Sequence, residues 1–260
     1  MSEQITQIES DESIINRLND NFDTLCIMTT ATTQGVNRAL IVSGPAGIGK
    51  SECVETILSS LPSRLTSATI SGNAKATGLY KMLYENRAKG TTVLIDDCDS
   101  LLKDEVSLNI LKSATDSKTV RCISWATETK MVDNNGEDLP RSFVFEGTVI
   151  ILTNLDLSVM AESDTAIAPH IRAMLSRSMY IDLGFNCKRT YFLRIKQVVQ
   201  NGMLSDMAID YTVEQDLLYY IEANMDNLRE LSLRMVLKLA SLIRVSPNEW
   251  KKLAKTTCWK

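Results

Sequence analysis

The chain is 260 residues long, 44% hydrophobic and 23% charged, within the ordinary range for globular proteins and long enough for one large domain or two modest ones. No apolar run approaches the roughly 20 residues that span a bilayer, and the opening MSEQITQIESDES is polar and acidic where a secretory leader is basic and then apolar, so a cytoplasmic protein with no membrane partner is expected. A net charge of −4 argues against a uniformly basic nucleic-acid binder, and six scattered cysteines with a single histidine (His170) argue against a structural zinc site or a Cys–His nucleophile, leaving buried reduced thiols as the expectation.

After a loose lead-in of ten or so residues, Ile14, Ile15, Leu18, Phe22, Leu25 and Met28 recur at three- and four-residue steps and predict a helix over 12–30. The apolar run 38–43 (RALIVS) predicts a strand buried on both faces, and a helix over 52–60 follows. The alternation repeats: a short strand over 68–70 and a helix over 78–87, then a buried strand over 91–95 (TTVLI) and a helix over 105–114. A third strong strand over 147–152 (GTVIIL), a helix over 166–176 and a last strand over 179–183 complete it. Strands alternating with helices predict a parallel sheet flanked by helices.

Two regions break that pattern. Two β-rich stretches, VRCISWAT and RSFVF, surround the turn-rich DNNGEDLP and predict a β-hairpin inserted over 119–146. From Cys187 onward four amphipathic helical segments follow with no strand. The expected organisation is an α/β domain over 1–184 and a small all-helical domain over 185–260.

Gly44-Pro45-Ala46-Gly47-Ile48-Gly49-Lys50-Ser51 matches the phosphate-binding pattern G-x-x-x-x-G-K-[ST], between a predicted strand and a predicted helix that continues with Glu52. Glycines allow backbone N–H groups to curl around phosphate oxygens, and the helix N-terminus adds a favourable dipole. Lys50 is placed to reach the β- and γ-phosphates of ATP and Ser51 to ligate Mg²⁺. Val93-Leu94-Ile95-Asp96-Asp97 has the form of a Walker B strand. Asp96 is the expected Mg²⁺ ligand through water, and Asp97 is placed to orient or deprotonate the attacking water, with Asp99 as the alternative.

With these motifs in place the chain resembles the AAA+ ATPase superfamily, and is most similar to small AAA+ ATPases encoded by bacteriophages. The resemblance is carried by GPAGIGKS, GLYKMLYENR, VLIDDCDS, RSFVFEGTVIILTN, MLSRSMYIDL and NLRELSLRMVLKLASL, which together take in most of 38–245. It implies that the helical domain is a lid, with nucleotide between lid and α/β domain. It further implies a sensor 1 role for Asn154 at the end of the third strong strand, and an arginine finger at Arg177, with Arg172 second. Sensor 2 falls on Arg234 in Ser232-Leu233-Arg234, with Arg229 the alternative. The family's Walker B strand usually ends Asp-Glu where this one ends Asp96-Asp97, one methylene shorter. For a phage-encoded protein the compartment is the host cytoplasm.

The resemblance also implies a homo-oligomer, a ring or arc that in the hexameric case would gather six copies of each loop. The inserted hairpin carries Lys130 and Arg141, with Lys118 and Arg121 at its base, and Asp133, Glu137 and Asp138 offset them at its tip. Gly72–Gly78, with Lys75, is a second candidate pore loop. Such loops could grip a nucleic acid or a protein; Trp125 and Phe143 read as hairpin core rather than base-stacking platforms. The alternatives are an ATP-dependent assembly switch or interaction protein with slow turnover, and a small-molecule kinase, which would not account for the lid or the Asn154 and Arg177 positions.

Overall fold

The central strands are continuous apolar runs because both of their faces are covered. In the computed structural model, which describes residues 9–126, 131–132, 136–185 and 187–260, β1 (Ala39–Ser43) and β6 (Thr148–Thr153) are buried at every residue and β3 (Thr91–Asp96) at all but its last. With β2 (Thr66–Ser71) and β7 (Met179–Asp182) they form one parallel sheet in the order β2-β3-β6-β1-β7. The edge strands β2 and β7 are more exposed, as strands with one uncovered side are. Ser43 pairs with Thr153, and Asp96 with Leu152. The carboxyl ends of β1, β6 and β3 therefore lie side by side, and whatever follows each strand is delivered to one edge of the sheet.

Helices α2 (Lys50–Ser59), α3 (Ala76–Glu85), α4 (Glu105–Ala114), α5 (Leu157–Glu162) and α6 (Ala168–Arg177) flank this sheet, and α1 (Asp11–Thr33) precedes it. A core of Ile41, Val93, Ile95, Val149 and Ile151 from the strands packs with Leu79, Leu83, Leu108, Leu111, Ile171 and Met174 from the helices. α5 is an element the periodicity did not reveal: six residues are too few for a helical repeat, and its start is fixed by Asp156, whose carboxylate accepts from the Val159 N–H at 2.9 Å.

The inserted segment forms the antiparallel pair β4 (Cys122–Ser124) and β5 (Ser142–Val144). Aromatic packing anchors it: Phe143 stands edge-on to Tyr80 and Tyr84 of α3 at 5.1 and 5.3 Å, and Trp125 lies 5.7 Å from Tyr80. The Tyr80 hydroxyl donates to Pro140 O at 2.8 Å, and burial pushes its pKa up to about 12, with Cys122 and Tyr84 adding. Lys130 and Asp133, which the sequence places on this hairpin, lie outside the described residues. Arg141 and Lys118 are exposed, but Arg121 is buried. Its guanidinium donates to Ala114 O at 2.6 Å and Gly147 O at 2.8 Å and lies over the Phe145 ring, so it is a structural tie at the hairpin base and not a free cation. The buried-thiol expectation is likewise corrected: Cys98 and Cys258 are buried, Cys26 and Cys53 are half-buried, and Cys122 and Cys187 are exposed.

By contact the chain divides into two units. One is the α/β unit, Asn21–Pro45 with Lys50–Gly184; the other joins Phe185–Lys260 with Ala46–Gly49 and the described part of Met1–Asp20. The second unit contains α7 (Lys188–Val198), α8 (Tyr211–Ala223), α9 (Leu233–Val245) and α10 (Trp250–Thr257) around Leu193, Leu217, Ile221, Val236, Leu239 and Trp250. Ile14 and Leu18 of α1 pack in this helical cluster, so the first helix, assigned to the α/β domain from sequence, has its opening turns among the helices. Among the described residues no helix is long and apolar enough to cross a membrane.

Arg121→Ala would strand two buried carbonyls, and a loss of about 2–4 kcal/mol is expected. Urea unfolding followed by circular dichroism measures it. Arg121→Lys, which cannot bridge both carbonyls, should fall between Arg121→Ala and the parent.

Candidate functional site

The loop after β1 is shaped by where its glycines stand. Gly47 and Gly49 have φ of +73° and +98°, conformations that side chains with a Cβ rarely adopt. α2 begins directly at Lys50. Although an ammonium on a helix is normally solvated, Lys50 is only 5% exposed. Its three donors are matched by Gly44 O at 2.5 Å, Pro45 O at 2.8 Å and Asn154 Oδ1 at 3.0 Å. Next to it, Ser51 Oγ donates to Asp96 Oδ1 at 3.1 Å. Both contacts follow from the strand register, which sets the ends of β1, β3 and β6 side by side. Glu52 is exposed in the first turn of α2.

The Asp-rich turn after β3 is ordered by β6. Asn154 Nδ2 donates to Asp97 Oδ1 at 2.7 Å, so one amide bridges Lys50 and Asp97. Thr153 Oγ1 donates to Asp99 Oδ1 at 2.6 Å, which commits Asp99 to holding the turn. Asp97 has φ of +52°, a left-handed conformation that Asp and Asn tolerate better than longer side chains do. Between these acids, the Cys98 thiol is pushed up to about 11 by burial, with the charges of Asp96, Asp97 and Asp99 adding.

Within the helical unit, the loop tip Ala46–Gly49 is held by the segment to which the family resemblance assigns sensor 2. The Leu233 N–H donates to Gly47 O at 2.8 Å, while Ser232 caps α9 by accepting from the Met235 N–H at 3.1 Å. Arg234 is exposed on the first turn of α9, and its charge helps lower the Glu230 carboxyl pKa, after the larger effect of Lys238. The alternative, Arg229, is committed elsewhere: Nε donates to Trp259 O at 2.6 Å. A residue the sequence did not single out takes a more intimate place. Arg194 of α7 donates from Nε to Ile48 O at 3.2 Å, and its Nη2 would lie 3.5 Å from a Cβ built on Gly49. No motif marks Arg194; only the fold brings it to the loop.

Arg177 ends α6, just before β7. Its Nη1 donates to Lys112 O at 2.9 Å and lies 3.7 Å from Asp116, whose carboxyl pKa is held down first by the Lys118 N–H and then by Arg177. β7 runs parallel to β1 with Met179 beside Leu40 and Asp182 beside Ser43, so Arg177 enters the sheet at the end opposite the loop, on the order of 10 Å or more from it. Arg172 donates to Ala161 O. Lys75, on the second candidate pore loop, is exposed immediately before α3.

No protein-family profile matches the chain. The fold is that of the AAA+ P-loop ATPases. A point mutant of RuvB from Thermotoga maritima superposes with a TM-score of 0.51 at 14% identity, over 98% of this chain and 73% of that one. Domain III of the Thermotoga maritima replication initiation protein DnaA gives 0.51 at 11% identity, over 98% and 94%. In sequence, the chain is 32% identical over 249 residues to an uncharacterized 36.7 kDa protein encoded in the nrdC–mobD intergenic region of Enterobacteria phage T4, an alignment covering 95% of this chain and 76% of the phage protein. The chain belongs to the family of that phage protein, in keeping with the resemblance to phage-encoded AAA+ ATPases.

A Cβ on Gly47 would meet Ser232 Cβ at 2.7 Å, whereas one on Gly35, also at positive φ, meets nothing within 4 Å. Gly47→Ala is therefore expected to lose about 1–3 kcal/mol, combining backbone strain with overpacking. Gly35→Ala isolates the backbone part, and thermal melts of the two variants should separate in that order.

Proposed function

We propose that this chain binds ATP with Mg²⁺ and hydrolyses it as an oligomeric AAA+ ATPase that remodels, loads or translocates a nucleic-acid or protein substrate. The observation that carries this reading is the meeting of Ser51 and Asp96 at the sheet edge, beside a lysine that donates to two loop carbonyls and Asn154. One hydroxyl and one carboxylate suit Mg²⁺, a hard cation that keeps several waters and takes its remaining ligands from phosphate. Bound there, the ion would neutralise charge on the β- and γ-phosphates.

The chain's own groups supply the rest. Gly44, Pro45, Ala46, Gly47, Ile48 and Gly49 would wrap the phosphates with backbone N–H groups, and Lys50 would exchange its loop carbonyls for phosphate oxygens. Glu52, exposed in the first turn of α2, would border this set. Water attacks the γ-phosphorus as the bond to the ADP oxygen breaks; Asp97 takes the water's proton and Asn154 orients the water. Arg194, which donates to Ile48 O within the loop, would answer to the phosphates, and Arg234 keeps the sensor 2 role that the resemblance implies. Arg177 enters the sheet far from its own loop, which supports its acting on a neighbour's nucleotide within a ring or arc. Lys75 and Arg141, exposed on the two candidate pore loops, would present cations toward a substrate. The DnaA likeness, to a replication initiation protein, is in keeping with a nucleic-acid target. A phage-encoded protein of this kind would work in the host cytoplasm.

A slower assembly switch is the second reading, and one observation favours it. Asp97 is held by Asn154 at 2.7 Å on a short side chain in a left-handed backbone conformation, so attack must await release of that contact.

Lys50→Ala should abolish binding of a fluorescent ATP analogue. Arg177→Ala should retain that binding but lose turnover by about 10³-fold. In the parent, the rate per subunit should rise with protein concentration over a hundredfold dilution series. Equal turnover in Arg177→Ala and the parent would overturn the shared site.

A further inference from the structure

Cys26 lies on α1 and Cys53 on α2, both within the α/β unit, and their sulfurs are 2.9 Å apart. The two sulfurs are in direct contact, and closing that separation to the roughly 2.05 Å of an S–S bond would join the two helices. Both residues are half-buried, which leaves a small oxidant access to them. Among the described residues the other four cysteines have no such arrangement: Cys98 and Cys258 are buried, Cys187 and Cys258 meet threonine hydroxyls, and Cys122 is exposed. Cys53 is two residues beyond Ser51, in the opening turn of the helix that begins at Lys50.

We propose that Cys26 and Cys53 form a dithiol modification site that a peroxide converts to an intrachain disulfide, joining α1 to the helix behind the phosphate-binding loop. One sulfur, as thiolate, attacks a peroxide oxygen; the O–O bond breaks and the departing hydroxide takes up a proton as water. The second sulfur then attacks the resulting sulfenic acid, the S–O bond breaks, the S–S bond forms and a second water leaves. Each sulfur is oxidised by one electron, and one peroxide is reduced to two waters. Because the partner is already in contact, the sulfenic acid is resolved within the chain before it meets another molecule. This inference does not rest on the ATPase reading.

The test uses the full chain, reduced, desalted and exposed to one equivalent of hydrogen peroxide, then alkylated and examined by intact mass and peptide mapping. The expected product has lost two hydrogens, carries Cys26 linked to Cys53 with the other four cysteines alkylated, and reverts with dithiothreitol. Its melting temperature should exceed that of the reduced chain, because the bond restricts the unfolded state. Cys53→Ser should abolish the product. Oxidation first at Cys122 or Cys187, with Cys26 and Cys53 still alkylated, would overturn the proposal, as would disulfide-linked dimers in place of the intrachain bond. Should Cys53→Ser fold poorly, the peptide map and melting shift of the parent decide alone.

Discussion

An ammonium withdrawn from water has to be met by acceptors, and three of those that meet Lys50 are Gly44 O, Pro45 O and Asn154 Oδ1. Two are carbonyls of its own loop, which fold the loop back over the lysine. The third, Asn154, directly follows β6, and that contact requires β1 and β6 to end at the same level. The Ser43–Thr153 pairing supplies that level. The arrangement of Ser51 on Asp96 and Asn154 on Asp97 depends on the same register.

Much of this was legible in the sequence. The buried strands announce themselves as apolar runs, α4 carries the periodicity that predicted it, and the phosphate-loop pattern names its own lysine and serine. Legibility failed where structure depends on partners distant in the chain. α5 is too short for a periodic signal and exists because Asp156 caps it against a core already built. Arg121 reads as one more loop cation until the carbonyls of Ala114 and Gly147, separated in sequence, converge on it. Arg194 is an ordinary arginine of an amphipathic helix until Ile48 is set beside it.

The Asp96-Asp97 ending, unusual beside the Asp-Glu of related ATPases, has a local physical counterpart. A residue at φ of +52° bears less strain with a short polar side chain than with a longer one, so the backbone turn and the shortened acid are mutually consistent. The missing methylene is thus tied to the shape of the turn, where Asn154 Nδ2 donates to Asp97 Oδ1.

The segment between α4 and the hairpin is clasped from two sides. Arg38, just before β1, donates to Asp116 O and to Lys118 O at 2.8 Å, and Arg177 reaches Lys112 O and Asp116 from the end of α6. Arg38 leads directly into the strand that carries the phosphate loop. The turn that leads from α4 into the hairpin is therefore pinned both from the strand that precedes the phosphate loop and from the helix that precedes β7, so a shift of either element would be felt at the base of the hairpin.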